Sequence, residues 1–323
     1  MKYKKALSYV VKILISGGLL WYLFTKVPFA DIWLTLRTTD LVLYSIAFIL
    51  HLICCYLAAL QFRVLNLPFA IDLPTVTILK INLITTFYSS FLPGYLAGGA
   101  VKWVKMQQYI KRPAELFISI VLNRFIELGS VFIVGAIFMI PYLLSNALYT
   151  TVWILIGISV IFIALYCSAF SERMLGVAKL LVANIGFLPH FIRVKIEKLF
   201  TIVTRLHELP LRTHLHILGN SVVRQFLGIG VLLIMAHAVS ISVSYSDMAW
   251  IRSVVIVLGM LPISIGNLGV REASLVVMME QFGIVPALAL SFSFLILLKN
   301  AILSLVGGVL ELIDKPKQRV IKP

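Results

Sequence analysis

Leu261-Pro-Ile-Ser-Ile-Gly-Asn-Leu-Gly-Val-Arg271 interrupts an apolar stretch, and an earlier segment, Leu92-Pro-Gly-Tyr-Leu-Ala-Gly-Gly-Ala-Val-Lys102, matches it without a gap. Both fit L-P-x-x-[LI]-[AG]-x-x-[AG]-V-[KR], with seven constrained positions in eleven. Proline removes a backbone donor and glycine weakens a helix. The chain is therefore expected to unwind at Pro93, Gly94, Gly98 and Gly99, and again at Pro262, Gly266, Asn267 and Gly269. Unwound backbone at membrane depth persists only where protein or a water-filled cavity covers it. A helix that restarts there exposes amides that favour an anion, and Lys102 and Arg271, which end the two copies, add full positive charge.

The rest of the chain explains why these breaks lie in a membrane. Of 323 residues, 61% are hydrophobic and only 13% are charged. A soluble fold of this length has too little interior to hide that apolar surface. Lipid removes the problem, and apolar runs of about 20 residues suit spanning helices rather than barrel strands of ~10 residues. The predicted fold class is all-α, a polytopic integral membrane protein forming a single membrane domain over 1–323. The formal charge of +15 reads as basic cytoplasmic loops beside anionic head groups. No motif interleaves aromatic with basic residues in the manner of a nucleic-acid-binding surface, so nucleic acid is not expected as a partner. Cys54, Cys55 and Cys167 lie in apolar runs without metal-ligand spacing and read as packing residues.

Six stretches have the length of a span: 8–25, 41–62, 114–140, 150–170, 218–240 and 287–312. Thr25-Lys-Val-Pro-Phe29 is a poor cleavage site, so the first is expected to be a retained helix. Two more stretches, 76–110 and 248–284, are interrupted by the paired motif. Basic residues cluster at Lys2 to Lys12, Lys102 to Arg112, Arg173 to Arg212 and Lys315 to Lys322, whereas 141–149 carries no charge and 241–248 only Asp247. Placing all four basic regions inside requires 76–110 to dip in from the cytoplasm and return, and 248–284 to do so from the outer face. Six spans and two re-entrant hairpins follow, with both termini cytoplasmic. Reporter fusions after Tyr109 and Phe282 are expected to read inside and outside, respectively; the reverse at either point would overturn this topology. The 171–217 segment carries Ile192, Ile196, Leu199, Val203 and Leu206 at helical spacing and is expected to lie on the cytoplasmic leaflet as an amphipathic helix. His207, His214 and His216 have no accompanying acidic or cysteine cluster, so no metal site is predicted there.

The flanks of the motif repeat as well. Each following span carries a basic-plus-amide pair, Asn123-Arg124 with Glu127 one turn on, and Lys299-Asn300. Under the topology above, units at about 41–140 and 218–312 run in opposite directions, an inverted repeat with discontinuous helices of the kind seen in many alternating-access transporters. Arg124 and Glu127 at i,i+3 also suit a structural ion pair. Lys299 lies near the middle of its apolar run, where an unpaired cation costs at least ~3 kcal/mol, so an interior partner or a substrate is expected to face it. Glu127 and Glu272 are the available carboxylates.

Three segments, Phe91 to Lys102, Asn123-Arg-Phe-Ile-Glu127 and Leu261 to Glu272, resemble the family named for the membrane region of lysylphosphatidylglycerol synthases. The likeness extends over nearly the whole chain, and the last segment is its most specific part. That family includes many stand-alone bacterial and archaeal proteins, which implies residence in a prokaryotic inner membrane. Members fused to a soluble aminoacyl-transferase domain are thought to flip the modified lipid between leaflets. No segment here resembles that soluble domain, and Ala100 stands where the family often has an acidic residue.

The function expected is a flippase-like transporter of a phosphate-bearing lipid, with Lys102, Arg124, Arg271, Lys299, Asn123 and Asn300 drawing in the head group. One alternative is a membrane-embedded transferase acting on a phospholipid or polyprenyl-phosphate, and another is a non-transporting partner of a lipid-modifying enzyme. Against catalysis, no metal-binding acidic motif, nucleophile–base pair or carboxylate dyad stands out. No cofactor is predicted, and the absence of a phosphate-binding loop argues against direct ATP use. Membrane phospholipids are the expected partners, and the candidate protein partners are a second copy of the chain or a lipid-modifying enzyme.

Overall fold

The computed structural model describes residues 29–92, 97–144, 153, 156–164, 210–260, 264 and 267–314. Among these, every regular element is a helix: α1 (Phe29–Arg37), α2 (Leu41–Asn66), α3 (Thr75–Ser89), α4 (Ala97–Gln107), α5 (Pro113–Leu144), α6 (Leu211–Ala238), α7 (Tyr245–Met260), α8 (Val270–Glu280) and α9 (Pro286–Ile313), with a 3-10 turn at Leu67–Phe69. Four helical segments are long and apolar enough to cross a membrane: Leu41–Phe69, Pro113–Ile140, Leu211–Ala238 and Pro286–Ile313. They correspond to the expected spans at 41–62, 114–140, 218–240 and 287–312. The expected spans at 8–25 and 150–170 fall mostly outside the described residues, although 156–164 is helical.

The helices begin where local chemistry starts them. Asp40 accepts hydrogen bonds from the amides of Val42 and Leu43 at 2.8 and 3.0 Å, an N-cap that starts α2. Pro113 and Pro286 occupy the first turns of α5 and α9, where a missing amide costs nothing. Ser244 and Asp247 form the start of α7: the Asp247 amide donates to the Ser244 hydroxyl at 3.1 Å, and that hydroxyl donates to the Asp247 carboxylate at 2.6 Å. The helix expected at 218–240 starts two turns earlier, after Pro210, so 211–217 belongs to a long helix rather than to the amphipathic segment. Arg212, His214 and His216 depress hydropathy there without interrupting the helix. Residues 171–209, with His207, lie outside the described residues.

Both interrupted stretches are pairs of helices. α3 stops at Ser89 and α4 begins at Ala97; α7 stops at Met260 and α8 begins at Val270. Pro93, Gly94, Pro262 and Gly266 lie outside the described residues. At the second break Asn267 and Gly269 adopt left-handed backbone, with φ of 61° and 82°. Asparagine and glycine tolerate that region better than other residues. The Asn267 amide group lies over Gly259, 2.8 Å from where a Cβ would stand, so the break packs back onto the end of α7. In the first copy Gly98 and Gly99, where unwinding was expected, are instead helical in the first turn of α4; Gly98 faces Ser89, whose hydroxyl is 2.5 Å from a Cβ placed on Gly98, and Gly99 is half-buried.

The chain divides into two compact units. One comprises residues 1–56, 79–102 and 226–315. Within it α8 packs against α7 and α9, and α1 packs against α9. α3 and α9 run antiparallel, tied by the Lys80–Asp314 ion pair, a hydrogen bond from Tyr88 to Glu311 at 3.1 Å and one from Ser90 to Ser304 at 3.1 Å. Gly307 and Gly308 let the two backbones approach: a Cβ on Gly307 would stand 2.0 Å from the Leu83 carbonyl oxygen. The other unit comprises 57–78, 103–225 and 316–323. There the Arg112 guanidinium donates to the Phe69 carbonyl at 2.7 Å, Asn220 donates to the Leu57 carbonyl at 2.9 Å, and Phe162 packs on Phe125 and Phe132 of α5.

Candidate functional site

Each unit builds a buried polar cluster around one glutamate. In the first unit that residue is Glu272, 3% exposed at the start of α8. One carboxylate oxygen accepts the Gly269 amide at 2.6 Å, and the other accepts Arg271 Nη2 at 2.5 Å, Arg271 Nε at 3.1 Å and the Ser293 hydroxyl of α9 at 3.3 Å. At this restarted helix the anion beside the amides is a carboxylate of the chain itself. A side-chain carboxylate three residues past the N-cap reaches back to it, which suits the positive end of the helix dipole. The Arg271 charge, expected to be turned toward a ligand, is shared with its own neighbour.

Lys299 lies on α9 and is 6% exposed. Arg271 of α8, Arg252 of α7, and Cys54 and Cys55 of α2 lie within electrostatic reach of it. Among the described residues it has neither an ion pair nor a hydrogen bond, so Glu272, one of its two expected partners, is committed elsewhere. Asn300 beside it is half-buried, and so is Lys102 on α4. Cys54 and Cys55 read as packing residues from the sequence; both lie within electrostatic reach of this lysine. Ser264, inside the second break, is fully buried, and among the described residues its hydroxyl has no hydrogen-bond partner.

In the second unit Glu127 bridges two arginines. Arg124 Nη1 donates to one oxygen at 3.1 Å, the i,i+3 pair expected from the sequence. Arg224 Nη2 of α6 donates to the other, also at 3.1 Å. Arg224 Nη1 continues to the side-chain oxygen of Gln61 at 3.2 Å, and Gln61 donates to Asn123 at 3.3 Å. A second branch runs through Gln225, Ser130 and Ser221: Gln225 donates to the Ser130 hydroxyl at 2.7 Å, and the Ser221 and Ser130 hydroxyls are 2.9 Å apart. Three helices are thus joined by polar groups that lipid could not satisfy.

The sequence-predicted residues therefore separate into two sets, with Asn123, Arg124 and Glu127 in one cluster and Arg271, Glu272 and Lys299 in the other. Gln61, Arg224, Gln225 and Arg252 were not anticipated. A signal for two of them was present: Arg224-Gln225 is a basic-plus-amide pair inside an apolar run, as Lys299-Asn300 is. It sits on the span preceding a broken motif, whereas the other pairs follow one.

Comparison with curated proteins returns no match to this chain. Comparison with family models matches residues 9–308 to the lysylphosphatidylglycerol synthase transmembrane region, which takes in both clusters and both breaks. The chain belongs to that family.

Proposed function

We propose that this protein binds a phosphate-bearing lipid and moves it between leaflets by alternating access of two inverted repeat units. The observation that carries the reading is Lys299, a cation buried in a spanning helix with no counter-ion among the described residues. A charge held at that depth is expensive, and such residues usually mark a substrate or ion pathway. The buried Ser264 hydroxyl in the second break, without a hydrogen-bond partner among the described residues, supplies a further group for a polar ligand. Family membership supports lipid handling as the context. Broken helices at corresponding places in two halves are what alternating-access transporters use to build a midplane site. In this reading Lys102, Arg124, Arg271, Lys299, Asn123 and Asn300 draw in the head group.

Reconstitution tests this directly. Proteoliposomes carrying a head-group-labelled anionic phospholipid are expected to lose leaflet asymmetry faster than empty vesicles. Lys299→Ala should return the rate to that of empty vesicles while the protein still reconstitutes, and Arg271→Ala should slow it similarly. Equal rates in protein-containing and empty vesicles would overturn the transport reading, and undiminished scrambling by Lys299→Ala would overturn the site.

A further inference from the structure

Ser293, Asn300, Ser304 and Glu311 stand within about 20° of one line along α9, because their spacing returns to the same face of a helix. Two shorter helices end on that face. The hydroxyl of Ser90, just past the end of α3, is 3.1 Å from that of Ser304, and Tyr88 donates to Glu311 farther along. From the other direction α8 returns along α9 after the turn at 281–285, and its first turn meets Ser293 through Glu272. The end of α3 and the start of α8 thus approach one stretch of α9 from opposite directions, their contacts about 16 Å apart along the helix. Asn300 lies between them, near the middle of the 28 residues of α9.

The helix surface around Asn300 is covered, since Ser293, Ile296, Leu303, Ser304 and Gly307 are all buried. Asn300 itself is only half-buried, and among the described residues its side-chain amide has no hydrogen-bond partner. The opening beside it is not the lipid-facing side: the exposed Leu298, Leu305 and Leu312 stand about 120–160° around the helix from it. An amide left bare near the middle of the hydrocarbon is costly, so water or a polar ligand must meet it. Glu272, on the same face, is neutralised by Arg271, and Lys299 stands about 100° around the axis, which leaves amide and hydroxyl groups here. A phosphate meets the N–H groups of an amide but not its oxygen, and an ammonium meets the oxygen but not the N–H groups. A hydroxyl donates to one and accepts from the other.

We propose, building on the lipid-binding reading above, that the Asn300 face of α9, with Ser90 and Ser304, receives the uncharged, hydroxyl-bearing part of a lipid head group, a polyol or sugar ring. Full-length protein in detergent micelles tests this with phosphatidylinositol and phosphatidylethanol of identical acyl chains, each carrying one phosphodiester charge, and free inositol as competitor. Retention of bound lipid, read by native mass spectrometry, is expected to favour the inositol lipid about tenfold, the scale of one or two hydrogen bonds to a hydroxyl. Asn300→Leu should lower retention of the inositol lipid to that of phosphatidylethanol; an undiminished preference in this variant would overturn the assignment to this face. The wild-type comparison alone decides the matter if the leucine variant does not fold. Displacement of the inositol lipid by an equal concentration of free inositol would support the seat and identify the free polyol as its ligand. Equal retention of the two lipids by the wild type would overturn this proposal, assign the opening to water and leave the lipid-binding reading standing. Retention of neither lipid would overturn both.

Discussion

Gly307→Ala is expected to lower the thermal stability of the detergent-solubilised protein by about 6 °C or more, the scale of a ~3 kcal/mol loss in a protein of this order of size. The new methyl carbon would stand 2.0 Å from the Leu83 carbonyl oxygen and 2.6 Å from its carbon, distances at which atoms cannot coexist. Backbone rather than a flexible side chain occupies the space, so α3 and α9 must separate. Separation would strain the Tyr88–Glu311 and Ser90–Ser304 hydrogen bonds on the same seam. Small residues let membrane helices approach this closely, and dispersion and weak C–H···O contacts supply much of the association where no hydrophobic force acts. Gly308→Ala should cost less, since its obstacle is the Phe87 ring at 3.0 Å, which can turn. Gly219→Ala meets nothing within 4 Å and serves as the control. A melting temperature for Gly307→Ala equal to that of the control would mean that the α3–α9 approach is looser than described.

The second large effect is expected at Glu272→Gln. Glu272 is 4% and Arg271 12% exposed at the side chain, and the pair is joined by two hydrogen bonds to one oxygen. Removing one partner of a buried pair leaves the other charge uncompensated and costs about 3–5 kcal/mol. Glutamine keeps the shape and can still accept one hydrogen bond, so the lower end of that range applies. The double variant Arg271→Met with Glu272→Gln removes both charges and is expected to recover most of the loss, because an uncharged replacement of a buried pair is often nearly neutral. The Gly269 amide would still lose a charged acceptor, so a deficit of about 1 kcal/mol should remain. Thermal unfolding of the two single variants and the double variant measures the coupling. Additive losses would show that the two residues do not act as a pair.

These residues also show what the chain discloses before it is folded. Spans such as 114–140 and 287–312 were legible because about 20 apolar residues in succession have few uses other than crossing lipid. The breaks were legible because proline and glycine act on local backbone, and α7 and α8 do part where Pro262 to Gly269 says they should. The start of α6 was not, because hydropathy follows side chains while a helix continues past the hydrocarbon with Arg212, His214 and His216 on it. Site chemistry was legible one residue at a time. Lys299 and the Arg124–Glu127 pair could be named from depth and spacing. That Glu127 would also hold Arg224, and that Glu272 would close back on Gly269 rather than meet Lys299, depends on which helices lie side by side. The contact of Gly307 with Leu83 left no trace in composition or spacing for the same reason.

The adjacency of Arg271 and Glu272 in the chain has a consequence for biogenesis. Neighbours in sequence on one helical turn neutralise each other as soon as that turn forms, so α8 needs no other segment in place to mask its guanidinium. Lys299 has no such local companion, and α9 must partition with a bare cation near its middle. The aliphatic and aromatic residues from Leu288 to Leu298 and from Ile302 to Leu310 are what carry it in, since each large apolar side chain favours insertion by a few tenths of a kcal/mol against the ~3 that a central lysine opposes. Trimming those flanks would therefore be felt first by the insertion machinery, before any lipid is bound.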